Sequence, residues 1–84
     1  MLYKVVFTKA ANKRIKKLDK RYSSAFDKSL KKLETNPRLG EMLKDDLKGY
    51  WKLKFSRYRI IYKIQGKKLI VVVVDVGHRR EVYR

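Results

Sequence analysis

Tyr50-Trp51-Lys52-Leu53-Lys54-Phe55-Ser56-Arg57-Tyr58-Arg59-Ile60-Ile61-Tyr62 carries the organising pattern of the chain. Apolar and cationic residues alternate on both sides of Ser56-Arg57, as in two half-buried strands joined by a tight turn. If that turn has two residues, Phe55 faces Tyr58, Lys54 faces Arg59, Leu53 faces Ile60, Lys52 faces Ile61 and Trp51 faces Tyr62. Alternation then gathers Trp51, Leu53, Phe55, Tyr58, Ile60 and Tyr62 on a core face, and Lys52, Lys54 and Arg59 on the other. Lysines at alternate strand positions are commonly a solvated face that discourages edge pairing. Arg59 is different, because it sits on an inner strand opposite Lys54, and like charges directly opposite destabilise a sheet. A chain that accepts this cost is expected to bind an anion there, and the register places no acid among the three cations.

Downstream, residues 68–76 form a strongly apolar run expected to be an inner strand covered on both faces. Whichever two-residue turn precedes it, Ile61, Ile70, Val72 and Val74 share the face of the lysines. Either the first strand or the tail covers this apolar end, or it is a docking groove for a partner protein. Gly77 lets the chain leave the strand. His78, Arg79, Arg80 and Tyr83 then combine cations with aromatic rings, a mix suited to phosphate contact and base stacking. The plain alternative for this segment is a frayed basic terminus.

Upstream, residues 2–7 read as a strand that ends at Thr8, a helix-capping residue. Ala11, Ile15, Leu18 and Tyr22 form one helical stripe, predicting a helix over 9–20 whose opposite face carries Lys9, Lys13, Lys16, Lys17 and Lys20. Phe26, Leu30 and Leu33 predict a second helix over 24–35, opened by a capping box of Ser24 with Asp27 and closed before Pro37. Residues 38–49 read as a connector with at most one helical turn, its Leu39, Met42, Leu43 and Leu47 tucked against the core. The order β-α-α-β-β-β predicts an α+β fold, an antiparallel sheet with a helical hairpin on one face, spanning 1–84 as one domain.

The 84 residues carry 24 Lys and Arg against 8 acids, a formal net charge of +16. A polyanionic partner would relieve that self-repulsion, and nucleic acid is the expected one; a membrane surface is the weaker rival. There is no cysteine for a thiolate site, and His78, the single histidine, makes no metal site alone. No phosphate-cradling glycine loop, nucleophile triad or carboxylate pair is spaced for catalysis, so no cofactor or metal is expected. The first apolar stretch is too short for a signal peptide and no run reaches membrane-spanning length, which points to the cytoplasm.

Tyr50 to Phe55, the following Tyr58-Arg59-Ile60-Ile61-Tyr62 and the closing Val76-Gly77-His78-Arg79-Arg80-Glu81-Val82-Tyr83 resemble the RelE-type toxins of the RelE/ParE toxin–antitoxin superfamily. The resemblance spans nearly the whole chain. It implies ribosome-dependent cleavage of mRNA in the decoding site, with Lys52, Lys54, Arg59, Arg79 and Tyr83 at the family's functional positions. Metal-free cleavage by the RNA's own 2′-hydroxyl would leave a 2′,3′-cyclic phosphate and a 5′-hydroxyl. Arg59 and Arg79 would clamp the scissile phosphate, Lys52 and Lys54 add charge or supply the base, and Tyr83 orients a nucleotide. Lys13, Lys16, Lys17, His78 and Arg80 would dock on ribosomal RNA. An antitoxin with an acidic segment would lie across the apolar and cationic faces, including Ile61, Ile70, Val72 and Val74. RelE-like toxins often continue into a further short helix, which this sequence lacks. The alternatives are a gyrase-inhibiting toxin of the ParE type on the same fold, and a nucleic-acid-binding module without catalysis.

Overall fold

The computed structural model describes residues 2–78. Strand β1 (Lys4–Phe7) leads into helix α1 (Lys9–Lys16), and α2 (Ser23–Thr35) follows a 3-10 turn at Lys20–Tyr22. Strands β2 (Glu41–Met42), β3 (Trp51–Phe55), β4 (Tyr58–Gln65) and β5 (Ile70–His78) complete one sheet in the order β1-β5-β4-β3-β2. The helices α1 and α2 form the expected hairpin on one face of that sheet. The β2–β3, β3–β4 and β4–β5 pairs are antiparallel, whereas β1 joins β5 in parallel, Lys4 opposite Ile70 and Phe7 opposite Val73. A helical hairpin between β1 and the later strands supplies the long crossover that a parallel pairing needs. Among the described residues no helix is long and apolar enough to cross a membrane.

The hairpin at Ser56-Arg57 has the expected register, from Phe55 opposite Tyr58 to Trp51 opposite Tyr62. Ser56 takes a positive φ of 52°, as the first residue of a two-residue hairpin turn commonly does. The core face follows from this pairing. Phe55, Ile60 and Tyr62 are buried with Ala11, Phe26, Leu33, Val71, Val73 and Val76, while Trp51, Leu53 and Tyr58 pack around them. Ile15, Leu18, Tyr22 and Leu30 complete the helical side.

Several local expectations need correction. Helix α1 stops at Lys16 instead of running to residue 20, because the Asp19 carboxylate accepts the Arg21 backbone N–H at 2.9 Å and caps a separate 3-10 turn. That turn feeds α2 directly, so Tyr22 N–H reaches Asp19 O and no side chain caps α2; the Ser24–Asp27 capping box is not formed. The connector holds two 3-10 turns and the short β2 rather than one helical turn. Leu39 and Met42 are exposed, not tucked into the core. The β4–β5 connection spans residues 66–69, longer than two residues, and a bulge lies between Ile61 and Tyr62. The bulge shifts the phase of β5. Asp75 stands opposite Ile61, Val74 falls at the register shift instead of sharing the face of Ile61 as expected, and Val76 is buried. Gly77 does not release the chain either; it lies inside β5, opposite Arg59.

Two non-local contacts lock the connector onto the sheet. The buried Tyr62 hydroxyl donates to Pro37 O at 2.7 Å and accepts from Gly40 N at 3.2 Å. Burial raises the Tyr62 phenol above its ordinary value, so it stays a donor. A Cβ at position 40 would collide with the Lys52 carbonyl oxygen and come 2.7 Å from the Tyr62 hydroxyl, so close approach demands glycine there. One residue on, Glu41 pairs with Lys52 across β2 and β3, carboxylate to ammonium at 3.0 Å. Lys52 most of all, then Lys54 and Arg59, hold the Glu41 carboxyl below its ordinary value of 4.5.

Gly40→Ala is expected to lower unfolding free energy by about 2 kcal/mol or more through overpacking, and Tyr62→Phe by about 1–3 kcal/mol through the orphaned Pro37 carbonyl. Urea titration measures both. A depressed carboxyl contributes stability that is present above its unfolded value and lost as pH falls through its folded value. Wild type should therefore lose stability as pH drops below about 4.5, more steeply than Glu41→Gln. Equal slopes in urea midpoints from pH 6 to 3 would contradict the pairing.

Candidate nucleic-acid interface

Strand alternation builds the candidate site on the sheet face away from the helices. Lys54 and Arg59 stand directly opposite each other, and Lys52 lies two residues along β3. Directly opposed residues have Cβ atoms about 5 Å apart, so the backbone itself roots the two cationic side chains next to each other. Arg59 is 9% exposed and the Lys52 side chain 16% exposed, whereas Lys54 is exposed. Burying cations in this way raises their electrostatic reach, because less water screens them. Gly77, across from Arg59, places no side chain beside the guanidinium.

The face does contain an acid, contrary to the expectation from register alone. Glu41 arrives from β2, a strand that was read as connector, and it binds Lys52. The exposed Glu41 carboxylate meets the Lys52 ammonium from the sheet edge, a pair that water screens. A second acid, Asp75, is opposite Ile61 in register, but its carboxylate is engaged with Val76 N at 2.9 Å and Arg14 Nε at 3.5 Å. Neither acid carried a local motif. Both become visible only once β2 and the bulge are known.

The remaining candidates divide. Lys13, Lys16 and Lys17 are exposed on α1 and its C-cap, on the helical side and thus remote from the cationic face. His78 ends β5 opposite Tyr58, with the two rings edge to face at 6.0 Å. Of the apolar set, Ile61 is 5% exposed and lies outside the main core cluster, while Ile70, Val72 and Val74 are half-buried. Ile70 and Val72 keep the phase of Lys63 and Gln65, and Val74 is displaced by the bulge. Arg79, Arg80 and Tyr83 lie outside the described residues. Among the described residues no three His, Asp or Glu side chains are grouped to hold a metal ion. The arrangement suits an anion whose charge must be met from one side by fixed donors, as a phosphodiester's would be.

A family described as the ParE toxin of type II toxin–antitoxin systems matches residues 5–83. A RelE-like toxin protein of Escherichia coli is 37% identical over 81 residues, covering 94% of this chain and 85% of its own. Toxin RelG of Mycobacterium tuberculosis is 33% identical over 86 residues, covering 100% and 99%. Among solved structures, the M. tuberculosis toxin–antitoxin complex RelBE2 contains a chain with TM-score 0.86 and 31% identity, over 94% of this chain and 93% of that one. The isolated E. coli RelE toxin gives TM-score 0.79 and 29% identity, over 96% and 90%. Family match, relatives and fold converge: the chain belongs to the RelE/ParE superfamily and is a toxin of a type II toxin–antitoxin system.

Proposed function

We propose that this toxin is a ribosome-dependent mRNA endoribonuclease. The observation that carries the reading is the cross-strand placement of Lys54 opposite Arg59, with Lys52 on the same face. In the reaction the 2′-hydroxyl gives up its proton and attacks the adjacent phosphorus, charge builds on the non-bridging oxygens, and the 5′-oxygen leaves with a proton drawn from water as the 5′-hydroxyl. Arg59 meets that charge with a planar fork of N–H donors, buried so that water competes little. Lys52 adds a point charge. Lys54, exposed at the mouth of the cluster, is the group we assign to take the 2′-hydroxyl proton. Arg79 and Tyr83 complete the set in this scheme, as second phosphate clamp and as the ring that orients a base. A site made mainly of cations does little to align free RNA, so the ribosome supplies the attack geometry. Lys13, Lys16 and Lys17, with Arg80 and His78, serve docking on ribosomal RNA.

Relatives named RelE and RelG support this reading, as do solved complexes of RelE with antitoxin RelB. We assign a cognate antitoxin as the second partner, with an acidic segment to match the net charge of +16. It is proposed to cover Ile61, Ile70, Val72 and the adjacent cations in the neutralised complex. The ParE description of the matched family favours one alternative, inhibition of DNA gyrase on the same fold.

Primer extension on ribosome-bound mRNA separates the two. The nuclease reading predicts new 5′ ends inside codons at the decoding site; intact mRNA with inhibited supercoiling would replace it by the gyrase reading. Arg59→Ala should slow single-turnover cleavage by about 10²–10³ and Arg59→Lys by less. Since Arg59 is buried, the fold of each variant is checked by thermal melting, and a folded Arg59→Ala with wild-type rate contradicts the assignment. Replacing Lys13, Lys16 and Lys17 together should instead weaken ribosome binding. If four to six phosphates are neutralised, log affinity should fall with log salt at about −3 to −4, and more shallowly in the triple variant.

A further inference from the structure

Strand β2 ends at Met42 and β3 begins at Trp51, and the loop between them borders a hollow of about 520 Å³. Met42, Leu43, Tyr50 and Trp51 supply its apolar lining, and Lys44, Asp45 and Lys48 its charged lining. That volume falls within the roughly 300–1,000 Å³ of ordinary binding pockets. Met42 stands opposite Trp51 in register, so the two side chains share one face of the sheet. Met42 is 68% exposed. One exposed methionine on a surface needs no explanation, but one that forms a wall of a hollow beside two aromatic rings points to a contact.

The hollow exists without a partner. Leu43 N–H donates to Tyr50 O at 2.9 Å, and the loop closes on itself through Lys48 N–H to Asp45 O and Tyr50 N–H to Leu47 O, both at 3.0 Å. Asp45 and Gly49 take positive φ of 58° and 95°, a conformation that aspartate tolerates and glycine adopts freely. The rings are held as well. Trp51 stacks on the buried Tyr62 at 6.4 Å, and Lys63 Nζ sits 4.7 Å from the centre of the Tyr50 ring. A side chain entering such a pocket pays little for ordering the loop around it.

The surroundings select the occupant. Tyr50 immediately precedes β3 in phase with Lys52 and Lys54, so the hollow opens beside the cationic row, whose members follow at intervals of roughly 7 Å. Lys44, Lys48 and Lys63, all exposed, outnumber the exposed Asp45 and Asp46 around it. A second copy of the chain carries the same +16, so self-association here would bring like charges together. A nucleobase would exchange hydrated polar edges for a mostly apolar lining. An acidic peptide segment bearing one large apolar side chain matches both the lining and the charge.

We infer that this hollow is the anchor point of the antitoxin: one large apolar side chain of its acidic segment enters the hollow, and the carboxylates that follow lie along Lys52 and Lys54. The inference rests on the proposal that an acidic antitoxin neutralises this toxin, and it gives that segment a fixed starting point beside the cationic face.

The test uses the whole chain at low salt and two synthetic dodecapeptides of glutamate and alanine, alike except that one carries phenylalanine where the other carries serine. Trp51 is the single tryptophan, so its emission reports on the hollow. The phenylalanine peptide should bind about tenfold tighter than the serine peptide, and shift Trp51 emission to the blue as water leaves. Met42→Ala should remove most of that difference. Leu2→Ala, at an equally exposed apolar position by the opposite edge of the sheet, should keep it. Equal affinities for the two peptides, or unmoved Trp51 emission at saturation, overturn the anchor and leave an acidic partner standing. Binding of both no tighter than that of an uncharged glutamine–alanine dodecapeptide overturns the acidic partner itself. A Trp51 shift that grows with toxin concentration alone assigns the hollow to a second copy. A shift produced by a 2′-O-methyl oligoadenylate and lost in Met42→Ala assigns it to RNA, and either result overturns the inference.

Discussion

A two-residue turn at Ser56 and Arg57 sets Phe55 opposite Tyr58, and the gathering of Lys52, Lys54 and Arg59 on one face descends from that register. A slip of one residue in one strand would send its half of the pattern to the other face, exposing core residues and burying lysines. The hydrophobic set Phe55, Ile60 and Tyr62 forbids the slip, because all three are needed in the core. The same set therefore forces Lys54 to face Arg59. Core burial supplies the free energy that holds two like-charged residues opposite each other, and the cationic face is a consequence of the core on the other side.

The site is braced at its β2 edge through residues of no obvious chemistry. Tyr62 projects into the core side, yet its hydroxyl ties Pro37 and Gly40 to the sheet. That tie lays β2 against β3 and brings Glu41 to Lys52. A carboxylate beside a cation cluster lowers the net charge of the site. Free of substrate, such a cluster is less self-repulsive than three bare cations would be.

Much of this was legible in local pattern. Period-two alternation on both sides of Ser56-Arg57 identified β3, β4 and their register, and the three cations on one face followed. The stripes Ala11–Ile15–Leu18–Tyr22 and Phe26–Leu30–Leu33 identified the helical hairpin. What escaped was non-local or depended on one residue of phase. The parallel pairing of β1 with β5 has no local signal, since Lys4 and Ile70 are far apart in sequence. The bulge at Val74 hides in a uniform run of valines, where nothing distinguishes the inward from the outward residue. Glu41 sits in a two-residue strand that no periodicity can announce. Asp19 stopped α1 by capping its own turn, a competition between side chain and helix that the apolar stripe masked.

The exposed cations of α1 and the shielded Lys52 and Arg59 lie on different faces. Exposed lysines on α1 suit diffuse attraction to a large polyanion, while the shielded Lys52 and Arg59 suit one phosphate at short range. In the proposed reaction this shielded pair, with Lys54, drives attack by the RNA's own 2′-hydroxyl. The end groups of the RNA fragments report it most directly. Mass spectrometry of fragments released from toxin-treated, mRNA-programmed ribosomes should find 2′,3′-cyclic phosphate or 3′-phosphate on one side and 5′-hydroxyl on the other. Fragments bearing 5′-phosphate and 3′-hydroxyl would mean that water, not the 2′-hydroxyl, is the nucleophile, and would contradict the account.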